Sequence, residues 1–225
     1  KDSSVNKNSG NIAHGDITFD KGKNGKAAIF DGESYIEVED NDSLNLDEAF
    51  TISVWLNKFE DEEYRYSPIL SKGTGSKSVD PPYVLYHDGA IAYPFLDLHN
   101  YDEWDSLSIE DSGEYMYDRW HLVTVTFDSA TEKVNFYIDG AFVGYGTWEY
   151  GELYNTDQNL YIGYGKLDRM HEFYIGLMDE LRIYNYALTD KEIKALYNET
   201  VPELKVYTSI LITPSKMAII KAEGI

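Results

Sequence analysis

Between Tyr93 and Tyr117 the chain carries Tyr93, Phe95, His99, Tyr101, Trp104, Tyr115 and Tyr117 interleaved with carboxylates and amides. That mixture suits sugar recognition, because aromatic rings stack on the apolar C–H faces of pyranoses while acids accept hydrogen bonds from hydroxyls. With two tyrosines from the preceding segment it gives a candidate groove of Tyr83, Tyr86, Tyr93, Tyr101 and Trp104; the competing reading turns some of these rings inward from a strand edge. A second aromatic loop follows at Trp148-Glu149-Tyr150-Gly151. Asp179 is a different kind of acid. On a strand it shares a face with Leu177, Leu181 and Ile183, where a carboxylate is costly unless a cation or hydrogen-bond donors satisfy it. Catalytic constellations are missing from the sequence. The five histidines, at 14, 87, 99, 121 and 171, have no metal-ligand spacing, and neither a Gly-x-Ser-x-Gly elbow nor a phosphate loop occurs.

The elements that must position these residues read as one large β-domain. The chain has 225 residues and no cysteine, so disulfides, thiol chemistry and thiolate zinc sites are excluded. Its formal charge is −21, which repels phosphate backbones and anionic lipid surfaces, and no apolar run is long enough for membrane insertion. Residues 1–14 read as a loop leading into Asp16-Ile17-Thr18-Phe19, and 27–31 with 35–38 read as a hairpin around Gly32-Glu33-Ser34. Phe50 to Asn57 alternates as a central strand with Ile52, Val54 and Leu56 inward. Trp120 to Asp128 and Lys133 to Asp139 make the strongest hairpin, and 159–164 a further strand. A strand over 173–184 is followed by one short helix, in which Thr189 and Glu192 complete a capping box and Ile193, Leu196 and Tyr197 form the apolar stripe.

Several of these stretches together resemble the concanavalin A-like, laminin G-like jelly-roll domains. The residues that carry the resemblance are Phe30-Asp31-Gly32 with Tyr35 to Val38, Phe50 to Trp55, the Trp120-His121 hairpin ending at Asp139-Gly140, and Gly176 to Tyr184 with its capped helix. The resemblance covers roughly Ser9 to Asn198. It implies an all-β, two-sheet antiparallel jelly-roll sandwich with one short C-terminal helix. Domain boundaries follow at 1–200, with 201–225 a linker or added strand leading to a downstream Ig-like domain. Within that tail, Val206 to Ile212 is expected to pack as a strand on the domain's sheet. The abrupt opening on Lys1-Asp2 reads as a fragment of a longer, modular polypeptide.

The resemblance also implies a structural calcium near Asp31 and Asp179, with neighbouring carbonyls, Gly32 among them, completing the oxygen shell. The alternative is that Asp31 caps its own turn and Asp179 accepts backbone hydrogen bonds. Glycoside hydrolases of this fold carry two strand carboxylates in a Glu-x-Asp-x-x-Glu pattern, which no strand segment here shows. The expectation is therefore a non-catalytic, calcium-binding, lectin-like module that binds carbohydrate within a larger extracellular protein, secreted or at the cell surface. An adhesion or spacer domain with a surface-protein partner is the alternative, and a glycoside hydrolase or lyase the lesser one. Nucleic acid is not an expected partner.

Overall fold

The computed structural model describes residues 6–59, 66–74, 80–88, 93–109, 117–167, 170–198, 211–213 and 216–218. In chain order its strands are β1 (Gly10–His14), β2 (Thr18–Lys21), β3 (Lys26–Asp31), β4 (Tyr35–Val38), β5 (Ala49–Lys58), β6 (Tyr66–Lys72), β7 (Tyr83–Asp88), β8 (Pro94–His99) and β9 (Trp104–Ser108). They continue with β10 (His121–Asp128), β11 (Lys133–Ile138), β12 (Ala141–Thr147), β13 (Leu160–Ile162), β14 (Tyr164–Leu167), β15 (Met170–Phe173), β16 (Ile175–Tyr184), β17 (Leu211–Thr213) and β18 (Lys216–Ala218); one helix, α1, spans Asp190–Tyr197.

Two seven-stranded sheets form the sandwich. One runs β1-β4-β13-β6-β7-β8-β9 and the other β12-β11-β10-β5-β16-β3-β2, and every named ladder is antiparallel. This is the jelly-roll sandwich that the sequence predicted. Alternation supplies its core: Phe30, Ile36, Phe50, Ile52, Val54, Leu70, Leu85, Leu96, Leu98, Val123, Val125, Phe127 and Phe136 meet between the sheets. Burying apolar area at roughly 25 cal/mol per Å² is what holds the two layers together without a covalent link.

Three local readings are corrected. β3 and β4 are not a hairpin, because β3 pairs with β2 and β16 while β4 pairs with β1 and β13 in the other sheet. Residues 32–34 instead arch across the sandwich, so that Phe30 and Ile36 both face the interior from opposite layers. The first strand is β1, inside the segment read as a loop; its Gly10, Asn11, Ile12 and His14 pair with β4 through backbone groups that composition does not reveal. β5 is buried on both faces, since α1 covers its outer side: Trp55, Leu122, Tyr137, Tyr184, Leu188, Ile193 and Leu196 make a second cluster. The helix start matches the sequence, with the Thr189 side chain and Glu192 capping each other reciprocally. In the tail, β17 pairs with β18 as a separate two-stranded ladder; 201–210, like Glu60, Glu63 and Tyr115, lie outside the described residues.

Candidate ligand-binding cleft

β8 and β9 are joined by a four-residue turn that Asn100 organises. Its side-chain oxygen accepts the amides of Asp102 (3.2 Å) and Glu103 (3.1 Å), and its own amide donates to the Glu103 carbonyl (2.9 Å). Its side-chain nitrogen donates to the Tyr150 carbonyl at 2.8 Å, which ties the turn to the second aromatic loop. There Trp148 is fully buried and donates from Nε1 to the Gly151 carbonyl at 2.8 Å. His99 is anchored by its amide to the Pro82 carbonyl at 3.0 Å. Three distant segments are thus drawn to one corner.

That corner holds an open cleft of about 250 Å³ lined by Asp80, His99, Asn100, Tyr101, Asp102, Glu103, Trp104 and Tyr154. Two rings stand out into solvent: Tyr101 is 82 % exposed and Trp104 is 62 % exposed. Each is backed by another ring, Trp104 stacking on His99 (6.0 Å between centroids, 18° between planes) and Tyr101 packing on Tyr154 at 5.0 Å. Backing fixes an aromatic plane while leaving its other face open, which a stacked ligand requires. Burial lowers the pKa of His99, opposed by Asp80, so its imidazole is neutral at neutral pH. Burial raises that of Tyr154, reinforced by Asp80 and Tyr101, so its hydroxyl keeps its proton.

Of the five rings predicted to bind ligand, the structure brings Tyr101 and Trp104 together in this cleft. Tyr86 lies on the same outer sheet face, but its hydroxyl is committed to Asp97 (3.0 Å) and Ser106 (2.8 Å) and its ring stacks on Phe95 at 5.2 Å. Tyr83 points the other way. Only 1 % exposed, it packs on Phe50 in the core and donates to the Leu44 carbonyl at 2.9 Å, because β7 sends Tyr83 and Leu85 inward and Val84 and Tyr86 outward. Tyr93 is half-buried just before β8, at the end of that strand away from the cleft. Asp80, Asn100 and Tyr154 were missed. Asn100 in a turn is a recognisable signal, but nothing in the sequence links Tyr154 to a turn about fifty residues away.

The residues proposed for calcium are not brought together. Asp31 pairs with Ile175, four residues from Asp179 along β16, so the two carboxylates are separated by roughly 13 Å at ~3.4 Å per residue. Each is served by amides instead. Asp31 Oδ1 accepts the Glu33 amide at 3.0 Å; slight burial pushes its pKa up, but Glu33 and Ser34 outweigh it and hold the group below the usual carboxylate range. Gly32 is the turn residue between them, at φ 87. Asp179 is fully buried, and its two oxygens accept the amides of Asn24 (2.8 Å) and Glu180 (2.9 Å), with Lys23 adding a third. A Cβ on Gly22 would stand 2.5 Å from Asp179 Oδ2, so only glycine lets the loop close over it. Burial and neighbouring Glu180 nevertheless push Asp179 up to about 6. Among the described residues no group of three or more His, Asp or Glu side chains is arranged to hold a metal ion. Asp31, Gly32 and Asp179 therefore do not fit one shared ion.

A second cavity, about 270 Å³, lies beside α1 and is lined by Asn24, Ser53, Trp55, Leu122, Glu180, Arg182 and Leu196. Its polar groups are already spent on one another. Arg182 bonds Glu180, Asn24 donates to Glu180 at 3.2 Å, and Ser53 meets Thr124 at 2.9 Å. Trp55 is sandwiched between Lys23, 4.1 Å over its ring, and Tyr197 at 5.6 Å. Of these contacts, the Trp55–Tyr197 stack is the one that joins the helix to the sheet.

The fold, two antiparallel seven-stranded sheets with one terminal helix, defines a lectin-like jelly roll. Residues 30–194 match the family model Laminin_G_3, the concanavalin A-like lectin/glucanases superfamily, and the chain belongs to that superfamily. No curated protein matches the sequence. Among solved structures, the binding domain of Paraclostridial Mosquitocidal Protein 1 is similar at 14 % identity and a TM-score of 0.68, over 87 % of this chain and 48 % of that one. Domain 4 of AbnA, an extracellular GH43 arabinanase from Geobacillus stearothermophilus solved with arabinotriose, is similar at 23 % identity and a TM-score of 0.63, covering 84 % and 87 % of the two chains. The binding domain of Botulinum Neurotoxin DC in complex with SialylT gives 14 %, 0.58, 86 % and 47 %. This chain thus spans about half the length of the toxin binding domains it matches.

Proposed function

We propose that the protein is a non-catalytic carbohydrate-binding module whose ligand lies against Trp104 and Tyr101 in the cleft at the β8–β9 turn. The observation that carries this is the pair of outward aromatic rings, 62 % and 82 % exposed, each backed by a second ring and flanked by carboxylates that accept hydroxyl hydrogen bonds. An exposed tryptophan on a rigid strand presents apolar area at little entropic cost, whereas the core rings of the same segment have none to offer. The binding roles of the structural relatives, one of them solved with arabinotriose, support the same reading without fixing the sugar. The strongly acidic surface and the superfamily support an extracellular setting. The test is isothermal titration against uncharged and acidic oligosaccharides, with Trp104→Ala beside the parent chain. Binding that falls at least tenfold in the variant, at unchanged melting temperature, is the expected result; equal binding by both proteins sinks the cleft, and no binding to any glycan sinks the function.

A further inference from the structure

We infer that the Trp104 cleft selects uncharged glycans over those bearing carboxylate or sulfate, and that the Tyr154 hydroxyl is a specificity-determining hydrogen bond formed only with ligand. This rests on the carbohydrate-binding reading and names the sugar class for the same site. Two independent features carry it.

The first is charge. Among the described residues the lining contains Asp80, Asp102 and Glu103 and no lysine or arginine. His99 contributes no compensating positive charge, since burial keeps its ring neutral. A sugar carboxylate stacked on Trp104 would meet all three anions at about 7 Å, and Coulomb repulsion in water then weakens binding roughly twentyfold in the absence of salt and roughly ninefold at about 20 mM. At about 0.15 M salt, where the Debye length is ~8 Å, the penalty shrinks to roughly threefold. Uncharged hydroxyls meet no such penalty and donate to the same carboxylates.

The second is an unmet polar group. Tyr154 lines the cleft and is only 8 % exposed, yet among the described residues its hydroxyl has no hydrogen-bond partner. A buried hydroxyl left unpaired is costly, so one retained beside an open cleft is poised for a partner that arrives with the ligand. The Tyr101 ring packs on the Tyr154 ring at 5.0 Å between centroids and is itself mostly in solvent, so an arriving ligand must open a path to the hydroxyl beside that outer ring.

The experiment uses the whole chain and titrates arabinotriose and other uncharged oligosaccharides, each glycan paired with its sialylated or uronic-acid counterpart, at about 20 mM and about 150 mM salt. Expected is tighter binding of the uncharged member, by roughly ninefold at the lower salt falling to roughly threefold at the higher. The combined Asp80→Asn, Asp102→Asn, Glu103→Gln variant should close that gap. Acidic glycans that bind as well as or better than their uncharged partners, or a gap indifferent to salt and to the triple variant, overturn the charge selection while leaving carbohydrate binding standing. Tyr154→Phe is measured in parallel. An unchanged or raised melting temperature with affinity for the uncharged glycan down about fivefold supports the hydroxyl's role, whereas a lowered melting temperature or undiminished affinity removes it. Silence from every glycan removes the function and this inference together.

Discussion

The acids at the β8–β9 turn and the acids on β3 and β16 are the same residue type in one sandwich, yet their circumstances are opposite. Asp179 is enclosed by main-chain amides at 2.8–2.9 Å, with a glycine at position 22 letting the loop close over it, and Asp31, though exposed, already accepts the Glu33 amide at 3.0 Å. Asp80, Asp102 and Glu103 instead border open space beside two exposed rings. A carboxylate with its donors supplied by the chain is architecture, and one left facing solvent beside an unused aromatic face is available for binding. The same contrast divides the tyrosines. Tyr83 has spent its hydroxyl on the Leu44 carbonyl and its ring on the core, while Tyr101, eighteen residues later, has spent neither.

The sharpest way to break this contrast is to exchange the roles. Tyr83→Ala should cost about 3–5 kcal/mol of stability, as truncation of a buried aromatic does, and chemical denaturation measures it. A loss below about 1 kcal/mol would put Tyr83 outside the core. Trp104→Ala should move stability by less than about 0.5 kcal/mol, as surface changes do, while removing at least about 1.4 kcal/mol of glycan binding. If it unfolds the protein instead, the exposed ring is structural. Next comes pH. Burial pushes Asp179 up to about 6, above the ordinary 3.8 of an aspartate, so folding favours its protonated form. Stability from this group therefore rises as pH falls through 6 toward 3.8, by about 1 kcal/mol between pH 7 and pH 5, and is lost on the way back up. Asp179→Asn should flatten that segment of the pH–stability curve, and an unchanged slope would deny the shift. The smallest effect concerns metal. Whatever calcium does to the melting temperature, Asp31→Asn should respond as the parent does, because its carboxylate and that of Asp179 are too far apart to share an ion. A calcium response abolished by that single change would restore the shared site.

Much of the architecture was legible because alternation and capping are local signals. The β10–β11 hairpin, the Asp179 strand and the Thr189 cap each announce themselves within about ten residues. Sheet membership is not local. Ala27 to Asp31 and Tyr35 to Val38 look like two arms of one hairpin, and only the demand that Phe30 and Ile36 meet across the interior sends them to separate layers. The cleft was half legible for the same reason. Tyr101 and Trp104 are three residues apart and become neighbours in any turn, but Tyr154 and Asp80 arrive by tertiary folding. The direction in which Tyr83 points depends on strand register, which a one-residue slip would reverse.

The place of β16 in its sheet has a consequence for how the molecule comes to exist. It is among the last strands made, yet it pairs with β5 on one side and β3 on the other. Until Ile175 to Tyr184 leave the ribosome, those two early strands have unsatisfied edges and nothing to join them, so the sandwich must wait for a strand made well after its partners. A product that stops short of Tyr184 is expected to expose those edges and aggregate, which is the cost of that late keystone.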